Sequence, residues 1–169
     1  MNICVFTSAK DVDEKYRNIM YNLGKTLGAK GHTLVFGGYD DGLMGCVASG
    51  FQDAGAEIIG VFPDTLEDGR LHHKGVTHTI HTKDLNDRKT EMLKISDCLV
   101  AAPGGIGTLD ELFSAMASKY VGEYKGEIVI YNALGYFDKM LSMLDDMEEA
   151  RFANRINTLI KVADDPEQI

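Results

Sequence analysis

The chain has no tryptophan, three prolines, three cysteines and a clear deficit of positive charge. Each shortage excludes something. Cys4, Cys46 and Cys98 are odd in number, far apart and set among apolar neighbours, which suits neither a disulfide framework nor a CxxC metal site. With 17 Lys and Arg against 26 Asp and Glu the net charge is -9, so the broad basic footprint of a nucleic-acid binder is missing. A small anionic ligand remains open wherever positive charge is local. No apolar run approaches membrane-spanning length, and Met1 to Phe6 lacks the basic flank and long apolar stretch of a signal peptide. These features lead us to expect no membrane partner, no nucleic acid and a cytoplasmic location. His32, His72, His73, His78 and His81 show no metal-ligand spacing, so neither a metal nor another cofactor is expected.

What is present is ordinary for a globular chain: 44% hydrophobic and 25% charged residues. Short apolar runs at 3–7, 33–36, 57–62, 77–82, 98–102 and 127–131 read as six strands. Longer amphipathic stretches at 11–29, 42–54, 85–95, 108–120 and 136–150 read as the helices between them. This alternation predicts a single α/β domain over 1–169, a doubly wound parallel sheet in three αβα layers. The core is expected over about 1–150, with 151–169 as a C-terminal tail. That tail holds a short apolar stretch at 159–162, then Asp165 and Pro166 placed as cap and first turn of a helix. Between Pro63 and Val76 lies a polar loop with Asp64, Glu67, Asp68, Gly69, Arg70, His72, His73 and Lys74, placed to flank or cover a ligand.

Ligands of open parallel sheets sit beyond the carboxyl ends of the strands. Two of those ends are glycine-rich and run straight into a helix: Gly37 to Gly45, including Gly38, and Pro103 to Thr108, including Gly104, Gly105, Ile106 and Gly107. Glycine allows close backbone approach, so N–H groups and a helix N-terminus can converge on an anion. Neither turn is a GxGxxG fingerprint or a P-loop, which favours a nucleoside monophosphate or sugar phosphate over NAD or ATP. Ser8, just past the first strand, reads as a hydrogen-bonding residue at the same edge. Arg88 and Lys89 fall within the buried stripe of their helix, where a charge needs a reason. Arg88 reads as an anion or carboxylate clamp; Lys89 either snorkels, pairs with a carboxylate or joins the site. Glu111, three residues after Thr108, has two readings. Thr-x-x-Glu is a capping box, yet a carboxylate one turn from a phosphate cradle also reaches a ribose.

Gly-Leu-Met-Gly at 42–45, Asp-Arg-Lys at 87–89 and Pro-Gly-Gly-x-Gly-Thr-x-x-Glu at 103–111 resemble the Lonely guy (LOG) family, whose relatives also carry the label of possible lysine decarboxylases. The resemblance runs from Ile3 to about Asp138. It implies a Rossmann-like fold, a homodimer and hydrolysis of the N-glycosidic bond of a nucleoside 5'-monophosphate. Arg88 and Glu111 match the family's catalytic pair, and Gly104, Gly105, Gly107 and Thr108 its phosphate cradle. This chain departs from the family at Tyr39, where a third glycine is common, and at Asn86-Asp87, where a His is usual. Ala115 and Ala117 stand in place of Trp and Gln, and Asp110 in place of a common Glu. These departures lie on the side expected to hold the base.

Overall fold

The computed structural model describes residues 1–66 and 69–169; Glu67 and Asp68 of the polar loop lie outside the described residues. Seven strands form one sheet: β1 (Asn2–Phe6), β2 (Thr33–Phe36), β3 (Ile58–Pro63), β4 (His78–Thr82), β5 (Cys98–Ala101), β6 (Glu127–Tyr131) and β7 (Lys161–Ala163). Their spatial order is β4-β3-β2-β1-β5-β6-β7, and every pairing is parallel. Interleaved with them are α1 (Glu14–Ala29), α2 (Gly42–Asp53), α3 (Leu85–Lys94), α4 (Ile106–Tyr120), α5 (Asp138–Glu149) and α6 (Ile156–Leu159).

Alternation along the strands divides the core in two. Ile3 and Val5 of β1 face Met20, Leu23 and Leu27 of α1 and Val47 and Phe51 of α2. Cys4 and Phe6 face the other way, toward Met92 of α3, Leu112 and Met116 of α4 and Leu144 of α5. The result is the expected three-layer αβα arrangement. It also has a functional consequence. β1 and β5 are neighbours, yet their following helices, α1 and α4, lie on opposite faces. A crevice must therefore open between the two loops at this switch point.

Three differences from the sequence reading have physical causes. The segment 151–169 is not a tail: β7 pairs Lys161, Val162 and Ala163 with Val129, Ile130 and Tyr131 of β6. Three residues are too few to display an alternation, which is why only its apolar character was visible. The end of the chain forms a single 3-10 turn (Pro166–Gln168), capped by the Asp165 carboxylate accepting from the Glu167 N–H. Helix α1 begins at Glu14 rather than residue 11 because Asp13 is its cap, accepting from the Lys15 N–H at 2.9 Å. Helix α4 begins at Ile106, two residues earlier than periodicity suggested.

Candidate active site

The crevice at the carboxyl ends of β1 and β5 holds a cavity of about 270 Å³. One wall is the start of α4. Gly105 is its N-cap and offers no capping side chain, so the first N–H groups of the helix have no partner within it. The adjoining carbonyls are occupied elsewhere. Thr7 Oγ1 donates to the Pro103 carbonyl at 2.7 Å, and the Tyr136 hydroxyl donates to the Gly104 carbonyl at 2.7 Å. Gly105, Ile106 and Gly107 are exposed, and with Thr108 they line the cavity. Oriented N–H groups at the positive end of a fifteen-residue helix suit an anion.

The other glycine-rich turn does not do this, which corrects the reading of two matching cradles. The Ser8 carbonyl accepts from the Leu43 and Met44 N–H groups at 3.0 and 3.2 Å, so main chain plugs the N-terminus of α2. Gly38 is likewise not a lining residue: it adopts a φ of 81° and packs directly on the Phe62 ring, where no side chain fits. Its neighbour Gly37 lines the cavity instead. Ser8 is at the edge as expected, its hydroxyl accepting from the Lys10 N–H at 2.9 Å.

Arg88 and Glu111 come together in the cavity from opposite sides of the switch point. Asp84 caps α3 by accepting from the Asn86 and Asp87 N–H groups, which sets Arg88 one turn in. The Arg88 side chain is buried, and its Nε donates to the Val61 carbonyl at 3.0 Å. Burial lowers the guanidinium pKa, with Glu111 acting in the opposite direction. Glu111 is not part of a capping box: because α4 starts at Ile106, Thr108 is already inside the first turn and no side chain caps the helix. Burial pushes the Glu111 carboxyl up to about 7, outweighing the opposing pull of Arg88. Arg88 therefore does not hold Glu111 fully ionised. A carboxyl poised near neutrality is suited to proton transfer and to stabilising a nearby cation.

Lys89 does not line the cavity. Its ammonium pairs with Asp110 at 2.7 Å and reaches Ser114 at 3.4 Å, the carboxylate-pairing alternative for a charge on that stripe. Two lining cations lay outside the motifs: Lys10, past the end of β1, and Arg70, from the polar loop. Arg70 sits over the Tyr39 ring at 5.3 Å and 3.8 Å from Asp41. The loop is tied down by an antiparallel bridge between Tyr39 and His72, with Asp40 N–H donating to Leu71 and His73 N–H to Gly38, each at 2.8 Å. His72 stacks on Phe62 at 3.9 Å. Of the departures from the family pattern, Tyr39 touches the cavity. Ala115 is in the core and Ala117 is exposed, and neither is a lining residue.

Residues 44–169 match the family model described as possible lysine decarboxylase. The chain is 36% identical over 151 residues to the probable cytokinin riboside 5'-monophosphate phosphoribohydrolase LOGL6 of Oryza sativa subsp. japonica, covering 89% of this chain but 60% of that one. It is 35% identical over 151 residues to the cytokinin riboside 5'-monophosphate phosphoribohydrolase LOG3 of Arabidopsis thaliana, covering 89% and 70%. The chain thus spans about three fifths of the length of the rice relative. Among solved structures, the molybdenum cofactor carrier protein MCP from Chlamydomonas reinhardtii superposes with a TM-score of 0.72 at 27% identity, covering 98% of this chain and 91% of that one. The molybdenum cofactor binding protein from Rippkaea orientalis shares the fold, with a TM-score of 0.73 at 22% identity and coverage of 98% and 90%. No helix among the described residues is long and apolar enough to cross a membrane. With the family model matching most of the chain and the relatives aligned over nearly all of it, this chain belongs to the LOG family of possible lysine decarboxylases.

Proposed function

We propose that the cavity hydrolyses the N-glycosidic bond of a nucleoside 5'-monophosphate, of the AMP or cytokinin-ribotide type, to free base and ribose 5-phosphate. The observation that carries this reading is Glu111, a carboxyl raised to about 7, sharing a cavity with buried Arg88 and the uncapped N-terminus of α4. The 5'-phosphate sits on the N–H groups of Gly105, Ile106, Gly107 and Thr108. Arg88 and Glu111 then face the ribose. As the bond from C1' to the base nitrogen breaks, its electron pair leaves with the base and positive charge grows on the sugar ring. The Glu111 carboxylate stabilises that charge and takes a proton from the water that bonds to C1'. The leaving nitrogen takes its proton from solvent. Names of the relatives support the substrate class, and the homodimer that the resemblance implies belongs to the same proposal.

The test is incubation of the protein with AMP and other nucleoside monophosphates, with free base measured by chromatography. Folded protein that releases no base above background from any of them sinks the reading. A second reading, binding without turnover, is favoured by the likeness to the Chlamydomonas carrier. Glu111→Ala separates the two: catalysis requires that turnover be lost while binding is kept.

A further inference from the structure

A second cavity, of about 250 Å³, adjoins the first across Ser8, Lys10 and Gly105, which line both. Beyond those shared residues its walls are Val12 and Tyr16 on the α1 side, Leu43 of α2, Pro103 and Gly104 before α4, and Tyr136 before α5. The polar side chains of this space, Ser8 and Lys10, stand at the junction, and the two tyrosines offer ring surface farther in. Tyr136 is held firmly. Its hydroxyl is fixed on the Gly104 carbonyl, and its ring meets Tyr16 edge-on at 5.9 Å and Phe137 edge-on at 4.9 Å. Leu134 and Gly135, with φ of 58° and 68°, form the left-handed turn that delivers it. Even so, Tyr136 remains 44% exposed and Val12 39%, so apolar surface stays open beside the cradle.

The arrangement has an order. Arg88 and Glu111 lie on one side of the α4 N-terminus, and the tyrosine-lined space lies on the other. We infer that the second cavity receives an organic group esterified to the ligand's phosphate, so that the site binds 5'-phosphodiesters with a planar, ring-bearing second arm. This rests on the proposed placing of phosphate on α4 and ribose against Arg88 and Glu111. A monoester leaves the annex empty. A diester carries its single negative charge between the α4 N–H groups and Lys10, and lays its second ring against Tyr136, where edge-on and offset contacts between rings are favourable.

The experiment compares the affinities of the intact protein for two diesters of equal charge, the phenyl and the methyl esters of AMP, by calorimetry. The phenyl ester is expected to bind at least tenfold tighter. In Val12→Asn and Tyr136→Ala that ratio should fall by threefold or more, with circular dichroism confirming the fold of each. Equal affinity for the two esters overturns the annex, whether the space is too shallow or covered by a second copy. A tenfold ratio that survives both substitutions also overturns it, because the ring then binds elsewhere. Base release from AMP together with equal ester affinities removes the annex and leaves the proposed function standing; no binding of AMP at all removes both.

Discussion

The guanidinium of Arg88 occupies the space into which a side chain at Gly37 would grow: a Cβ at position 37 would overlap Nη2. The glycine at the end of β2 is thus required by a buried cation delivered from α3. Gly37→Ala should displace Arg88 from Glu111 and cut kcat/KM for a nucleoside monophosphate by about a hundredfold, the scale for losing one pre-organised electrostatic partner. Steady-state kinetics on the folded variant would read this. An unchanged rate would mean that Arg88 does not act at the reacting centre.

Glu111→Gln separates charge from shape. Removal of a general base predicts a fall in kcat of about 10²–10⁴ with KM little changed. In the unsubstituted protein, kcat/KM should fall as pH drops through about 7, because the active form is the carboxylate. An acid limb that persists in Glu111→Gln would assign it to another group.

The same residue links pH to stability. Its folded pKa lies above the ordinary carboxyl value, so between about 4.5 and 7 the native state holds a proton that the unfolded chain has released. Stability falls as pH rises through that window. Glu111→Gln should therefore gain about 2 kcal/mol over the parent at pH 8.5, a figure discounted for the partial exposure of Glu111, and nothing at pH 4. Denaturant melts at the two pH values would show it.

Gly105 is the N-cap of α4, and a Cβ there meets nothing within 4 Å. Gly105→Asp should leave the melting temperature unchanged or higher, since Asp is a good N-cap. It should abolish AMP binding while sparing adenosine, because a fixed carboxylate would take the anion's place. Equal loss for adenosine would place the phosphate elsewhere.

The loop carrying Arg70 should loosen in acid. His73 is buried, its Nδ1 accepts from the Gly75 N–H, and its Nε2 lies 3.1 Å from the Ser49 hydroxyl. Burial lowers its pKa, Asp40 opposing, so the stability contributed by the neutral ring is full above 6.5 and is lost as pH falls below it. Hydrogen exchange at residues 71–76, corrected for intrinsic rates, should lose protection between pH 7.5 and 5.5. His73→Gln should remove that dependence.

Most of the sheet was legible because parallel strands buried on both faces are continuous apolar runs, as at β1, β2, β3, β5 and β6. β4 is a largely exposed edge strand whose β-branched Thr79, Ile80 and Thr82 carry β propensity instead. β7 was not legible, being short and, at Lys161 and Val162, exposed. The open N-terminus of α4 was legible from its glycines. The plug in the other turn was not, because it is made by the Ser8 carbonyl, a group that every residue possesses. Glu111 was legible as a capping spacing from Thr108; that its side chain enters the cavity beside Arg88, on the flank of α4 that carries buried Thr108 and Ala115, depends on neighbouring elements the spacing does not describe. The loop carrying Arg70 was legible as one that flanks a ligand, but not Arg70 as the lining residue, since its place there depends on a backbone bridge between Tyr39 and His72.

Because α2 is closed by main chain, side-chain replacement at position 8 cannot reopen it. Among the described residues at the switch point, the α4 N-terminus is therefore the helix end left open to a ligand, whatever the side chain at position 8 becomes. With the phosphate placed on α4 as proposed, variation among chains built this way is free to alter what hangs from it, while the number of phosphates held at a helix end stays at one.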